Sequence, residues 1–379
     1  MLVRDSLPHE ADAVVIGSGI FGAAIAYNLV DAGLNVVVVE RGDFCSEASG
    51  ANFGLVSGSH RSPKLLADLT RRSEQIYANF KTTIGRDLQY EPTGVIRVGL
   101  NPEELEKVRE WVELRRAVGI DAKFLSADEL RSMEPMLPAS MLGGGYSPEG
   151  GFIYPFSAVA GYLSRTQELG GKLVPFTEVT GITVRDRRVE SVQTTRGSIR
   201  TKYVVNAAGA WAGNASEMVQ LYTPIIPIRG QVLVTEPVKG FRNHVISGLF
   251  PSLGKTWAGN GLIGSIQEDV GFDKSVTLAT LSKFAMGIAE YYPSLKHIQV
   301  MRAWAGLRPK TPDRVPILGE SEQVRGFILA TGGFDIGMML GPAVGEALRD
   351  VVLGSPPAFD LTAARPERFT ESQAPLRSQ

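Results

Sequence analysis

With 379 residues, 44% hydrophobic and 21% charged, the chain is long enough for two domains and has the composition of a globular enzyme. Its 40 acidic and 39 basic residues nearly cancel, which leaves no basic field for nucleic acid and argues against an RNA substrate. No apolar run approaches the roughly 20 residues of a membrane span, so no transmembrane segment is expected. The polar residues 1–10 lack a signal-peptide pattern, and a cytoplasmic location is the expectation.

Residues 13–40 form one continuous nucleotide-binding pattern. A buried strand (13–16, AVVI) runs into the turn Gly17-Ser18-Gly19-Ile20-Phe21-Gly22, followed by a small-residue helix (23–30) and a second strand (36–39, VVVV) ending at Glu40. In such a turn the first glycine permits the tight bend, the second lets the backbone approach a pyrophosphate, and the third lets helix and strand pack closely. The helix N-terminus offers free N–H groups to phosphates. Glu40 stands where a carboxylate accepts hydrogen bonds from a ribose diol and disfavours a ribose phosphate, although Arg41 beside it weakens that second point.

The single cysteine, Cys45, follows this unit. One cysteine excludes an internal disulfide, a structural zinc site and an iron–sulfur cluster held by this chain, and the four scattered histidines have no metal spacing. No metal is expected, and a small packed thiol is the reading preferred for Cys45. The next segment, 46–54, is rich in small residues: Ser49, Gly50, Ala51, Asn52, Phe53 and Gly54 could admit a bulky planar ligand close to the backbone, or simply make a loop.

Helical periodicity covers 63–80, strands with a Pro92-Thr93-Gly94 turn cover 89–99, and Asn101-Pro102-Glu103-Glu104 opens a helix reaching about residue 118. Ser126 starts another short helix, 143–151 reads as a turn-rich loop, and 156–168 as a helix. Strands are predicted at 173–176, 179–185, 189–195 and as a pair in 199–208. A second layered region holds strands at 232–234, 255–258 and 262–264 and a long helix at 276–292; strand character returns at 301–307 and 327–330, and a last helix spans 341–353. Nucleotide-binding segments at the start, middle and end of a chain favour a flavin enzyme over a nicotinamide dehydrogenase.

Three further stretches concern chemistry. In Asn206-Ala207-Ala208-Gly209-Ala210-Trp211 a strand meets a small-residue turn beside an aromatic that could wall in a dinucleotide or be plain core. Arg308 stands among apolar residues before Pro309; its anion partner is either an internal acid or a substrate carboxylate. Gly333-Phe334-Asp335-Ile336-Gly337-Met338 precedes the last helix, whose N-terminus could stabilise an anionic reduced flavin.

On these residues the chain resembles the D-amino-acid oxidase family of flavoproteins, which includes glycine oxidase and monomeric sarcosine oxidase, over roughly residues 12–355. Within it, the chain also resembles the FAD-bearing β-type subunits of dye-linked amine dehydrogenases acting on opines, proline or hydroxyproline, and hydrogen-cyanide synthase subunits. The stretches 227–236 (PIRGQVLVTE), 263–273 (IGSIQEDVGFD) and 304–309 (WAGLRP) carry this closer match. The resemblance implies an α/β fold: a Rossmann-like, discontinuous FAD-binding domain of glutathione-reductase type (10–85, 145–218 and 301–365), and a substrate domain with an antiparallel sheet and helices (86–144 and 219–300). It implies that Gly17, Gly19, Ile20, Phe21, Gly22, Glu40 and Arg41 hold the adenosine diphosphate half, and that residues 49–54 pass near the phosphates and flavin. Val179 would meet the adenine through its backbone, Ala208, Gly209 and Trp211 would line the cofactor, residues 333–338 would touch the isoalloxazine, and Arg308 would bind the substrate carboxylate.

The chain departs from the family pattern at three places: no clear counterpart exists for a glycine-oxidase tyrosine near Ser252, the lysine that sarcosine oxidase uses to activate oxygen is missing from 261–264, and Asp335 stands where glycine oxidase has an arginine. These departures favour an acceptor other than oxygen. The expected activity is FAD-dependent oxidation of the C–N bond of an amino or imino acid by hydride transfer to flavin N5. The closer resemblance implies that its electrons pass to a partner subunit carrying an iron–sulfur cluster, and it leaves room for a second flavin, FMN, at the subunit interface. The alternative is a self-sufficient oxidase that makes hydrogen peroxide.

Overall fold

The computed structural model describes residues 2–58, 60–241, 244–248 and 250–369. Its first sheet has six strands in the order Ile317–Glu320, Phe327–Thr331, Tyr203–Asn206, Ala13–Ile16, Val36–Val39 and Lys172–Val174. All neighbours are parallel except the first pair. Ala13–Ile16 and Val36–Val39 are buried at every position, as uninterrupted apolar strands must be when both faces of a parallel sheet are covered. Ala13 and Val15 pack on one side with the helices Ile20–Asp31, Pro155–Glu168 and Gly337–Val352; Val14 and Ile16 pack on the other with the antiparallel strands Val179–Arg185, Arg188–Thr194 and Gly197–Arg200. This is a three-layer α/β arrangement.

The second sheet runs Glu268–Asp269, Ile226–Pro237, Asn260–Gly264, Ser252–Lys255, Val245–Ser247, Val95–Gly99, Gly143–Ser147 and Lys123–Ser126. Val300–Lys310 pairs with the other side of Ile226–Pro237, antiparallel, from Ile226–Lys310 to Thr235–Val300. Residues 301–310, grouped with the nucleotide segments in the sequence reading, therefore belong to the second sheet: hydrogen bonding to a long partner strand overrides their nearness in sequence to 327–331. Helix Leu278–Tyr291 closes this sheet through Phe284 and Ile288. Among the described residues no helix is long and apolar enough to cross a membrane.

Two helix starts follow their local chemistry: Asn101 accepts the N–H of Glu104 at 2.9 Å, and Ser126 forms a reciprocal capping box with Glu129. Elsewhere packing overrides local preference. Gly143–Ser147, expected as loop, is a central strand. Its glycines are needed for what lies above them, since a Cβ on Gly145 would stand 2.8 Å from the Trp111 ring and one on Gly144 2.8 Å from Leu130. The strand expected at 255–258 is Ser252–Lys255, with Thr256 and Gly259 closing the turn that follows.

The last helix begins at Gly337, one turn before the expected start, and carries Pro342 inside it. A proline there lacks its N–H and leaves the carbonyl four residues earlier without a helical donor. The Tyr77 hydroxyl donates to that carbonyl, Met338 O, at 2.8 Å, and the Ala343 N–H donates to Ser73 Oγ at 3.1 Å. Ser73 and Tyr77 lie one turn apart on helix Lys64–Ala78, so one helix face supplies both repairs. Tyr77→Phe keeps the ring and strands a buried carbonyl. It is expected to cost about 1–3 kcal/mol of stability, read as a lowered unfolding midpoint; an unchanged midpoint would contradict this role.

Candidate functional site

A cleft of about 630 Å³ lies between the two sheets, within the roughly 300–1,000 Å³ usual for small-molecule sites. One end is built on the glycine turn. Gly17 has φ +100°, and a Cβ on it would lie 2.6 Å from the Ala207 carbonyl oxygen, so the chain can turn here only as glycine. Gly22 does not line the cleft; it lets the helix pack directly against the Gly17 carbonyl. Glu40 is buried and accepts from Ser18 N (3.0 Å), Ser18 Oγ (2.9 Å) and Gly42 N (3.0 Å). Its carboxylate thus ties the first turn to the second and leaves one lone pair of its usual four for a ligand. The first N–H of the helix, Ile20 N, donates to Ser49 Oγ at 2.9 Å, which fixes the small-residue segment beside the helix end.

Gly19, Ile20, Phe21, Glu40 and Arg41 line this end with Gly17. Arg41 sits over Trp211, its Cζ 3.6 Å from the ring centroid, and pairs with Glu47 at 3.1 Å. Trp211 is thereby a wall of the cleft and not core. Ala208, Gly209 and Val179 line it as well. Of the following segment, Ser49, Ala51, Asn52 and Phe53 face the cleft, whereas Gly50 and Gly54 do not. Those two glycines serve backbone packing instead: a Cβ on Gly50 would strike Cys45 O, and one on Gly54 (φ +91°) would lie 2.6 Å from Ile153 O. Cys45 is buried, and burial together with Glu40 pushes its thiol up to about 12.

At the other end, Gly333, Phe334, Asp335, Ile336, Gly337 and Met338 form the entry to the last helix and all line the cleft. No acidic residue lies in the first turn of either this helix or Ile20–Asp31, so both N-termini keep their positive potential. Asp335 is held in a two-pronged pair by Arg61 (2.6 and 2.9 Å). His60, next to Arg61, is pulled down to about 4 by burial and by Arg115, Arg61 and Arg97, so it stays neutral at physiological pH.

Arg308 lies half-buried on the edge strand Val300–Lys310 and lines the cleft. Its Nη1 donates to the Ile266 carbonyl at 2.8 Å, and no carboxylate among the described residues pairs with it. Burial pulls its basicity below the ordinary arginine value, with nearby Asp335 acting in the opposite sense; the guanidinium remains protonated. Of the two partners left open by the sequence, an internal acid is therefore absent among the described residues.

Sequence reasoning missed Arg61, Gly230, Ser265 and Gln267, which also line the cleft. Gly230 lies outside the predicted strand 232–234, and only the register of the longer strand Ile226–Pro237 brings it to the cleft. Arg61 left no local signal.

The family model for FAD-dependent oxidoreductases, DAO, matches residues 12–351. The chain belongs to this family. Its glycine turn, acid-free helix ends and small-residue walls fit an extended dinucleotide such as FAD. The hydrogen cyanide synthase subunit HcnC of Pseudomonas aeruginosa is 28% identical, over 96% of this chain and 97% of its own. The crystal structure of glycine oxidase from Geobacillus kaustophilus superposes with a TM-score of 0.90 at 26% identity, covering 96% of this chain and 100% of that one. L-proline dehydrogenase from P. horikoshii gives a TM-score of 0.88 at 27% identity, covering 96% and 98%.

The thiol provides a check on this end of the site. Native protein at pH 8 is expected to leave Cys45 unlabelled by a thiol reagent and to label it once unfolded; rapid stoichiometric labelling of the native protein would contradict the burial described.

Proposed function

We propose that this FAD-dependent oxidoreductase oxidises the C–N bond of a small amino or imino acid and passes the electrons to a partner subunit or dye in preference to oxygen. The observation that carries the reading is Arg308: a half-buried guanidinium in the cleft, bonded to one carbonyl and without a carboxylate partner among the described residues. A guanidinium matches a carboxylate through two parallel hydrogen bonds, and a substrate acid would complete the ion pair that the fold leaves open.

Bound FAD supplies the two-electron acceptor. The residues of the chain supply position. Gly17, Gly19, Ile20, Phe21, Glu40 and Arg41 are proposed for the adenosine diphosphate half, and Gly333 to Met338 with Phe53 for the flavin end. Arg308 would fix the acid group and so orient the Cα–H and the neutral amine. Positioning of this kind needs little acid–base machinery. The names of two similar proteins support a small acid substrate, since glycine and L-proline both carry a free carboxylate.

A partner subunit is supported by the description of HcnC as a subunit, and an iron–sulfur cluster there, with FMN at the interface, would give the electrons a route. The described cleft lining contains no lysine, the group tied to oxygen activation in the sarcosine-oxidase pattern. The second reading, a peroxide-forming oxidase, is favoured by the similarity to glycine oxidase.

Anaerobic mixing with glycine, sarcosine, D-amino acids, proline, hydroxyproline and opines is expected to bleach the flavin with at least one of them. With that substrate, dye reduction should outpace oxygen uptake. Arg308→Ala should retain FAD yet lose about 30-fold or more in kcat/KM, since truncating one partner of a buried charge pair costs roughly 2–5 kcal/mol. No bleaching by any acid, or an unaffected Arg308→Ala, would overturn the reading; oxygen uptake as fast as dye reduction would favour the oxidase.

A further inference from the structure

We propose that Gly230 and the ion pair between buried Arg229 and half-buried Glu268 are positioning elements for Arg308, one moulding its guanidinium and the other latching the segment that holds it. This rests on Arg308 as the carboxylate-binding group and adds what sets its position.

In the antiparallel pair, Ile228 lies opposite Arg308 and Gly230 opposite Gly306. Gly230 and Arg308 are thus diagonal neighbours on one face, within reach of a long side chain. The guanidinium occupies the space that a side chain at 230 would need: a Cβ there would overlap Nη1, Cζ and Nη2 of Arg308 together. Those atoms end a flexible side chain, so a methyl group at 230 would move the guanidinium and leave the strand in place.

The neighbours of Gly230 point to the opposite face, because side chains alternate along a strand. There Arg229 Nε (3.0 Å) and Gln231 Nε2 (2.7 Å) both donate to Glu268 Oε2, and Thr280 Oγ1 donates to Glu268 Oε1 at 3.1 Å. Arg229 is 4% exposed and also pairs with Asp273 and with Ser275 Oγ. The hydrogen bond that Arg229 donates to Glu268 leads in raising its basicity, so it stays charged. Holding Glu268 fixes the short strand Glu268–Asp269 against Ile228 and Arg229. Two residues earlier on that segment, Ile266 presents the carbonyl that accepts from Arg308. The stretches 227–236 and 263–273 are therefore two halves of one device: a grip on one face and a mould on the other.

The test uses acetate as a carboxylate probe and acetamide as its uncharged counterpart, each titrated into FAD-loaded protein and followed by the flavin absorbance. Gly230→Ala is expected to keep its FAD content and unfolding temperature, to weaken acetate binding by about ten-fold or more, and to leave acetamide unchanged. In an Arg308→Met background the same change should have no further effect on acetate. Glu268→Gln, which retains the shape but loses the charge facing Arg229, should weaken acetate selectively and by less. Acetate binding by Gly230→Ala equal to wild type, or an equal loss for acetate and acetamide, would overturn the proposal. Wild-type protein that binds no acetate would overturn the carboxylate role of Arg308 and this inference with it. If Glu268→Gln fails to fold, Gly230→Ala decides alone.

Discussion

The pairing of Ile226–Pro237 with Val300–Lys310 is the constraint on which the rest of the site depends. It carries Arg308 at one end and is fastened to the nucleotide-binding half in its middle. The Trp304 indole N–H donates to the Ala51 carbonyl at 3.2 Å, and Gly306 lies so close to Ala51 that a Cβ would stand 2.5 Å from the Ala51 Cβ. A segment whose position is set by Ser49 and the first helix is thereby tied to the strand that presents the guanidinium. Slippage of that strand by one residue would turn Arg308 to the other face of the sheet.

Charge is distributed along the cleft to match this geometry. At the glycine turn the Glu40 carboxylate is spent largely on internal donors, and Arg41 rests on Trp211, which leaves backbone N–H groups and a helix end to meet a diphosphate. Toward the other end Asp335 is neutralised by Arg61. Among these groups Arg308 differs in having a carbonyl and no acid as its partner. Internal pairing of Arg41 with Glu47 and of Arg61 with Asp335 leaves Arg308, among the described residues of the cleft, as the arginine open to the carboxylate of the proposed substrate.

Much of the nucleotide half was legible because its constraints are local. An all-apolar strand, a turn that only glycine can make at Gly17 and a helix that must touch Gly17 through Gly22 leave few alternatives over ten residues. The same residue type misled elsewhere. Gly143 to Gly145 looked like a loop, yet each yields space to protein atoms, because sequence does not distinguish a loop glycine from one that makes room for a neighbouring strand or tryptophan. The early start of the last helix was hidden by Pro342, whose missing hydrogen bonds are repaired by Tyr77 and Ser73. The Arg61–Asp335 pair joins residues 274 positions apart, a separation at which no local pattern remains. Arg308 stood out as an arginine in apolar surroundings, but the mould at Gly230 emerged only from strand register.

The most direct test of the account is a crystal structure of the purified flavoprotein with a small carboxylate bound. The account predicts the diphosphate at the N-terminus of helix Ile20–Asp31 and both carboxylate oxygens within hydrogen-bonding distance of the Arg308 guanidinium. A protein that takes up no flavin, or a structure in which Arg308 turns away from the carboxylate to an internal acid, would contradict it.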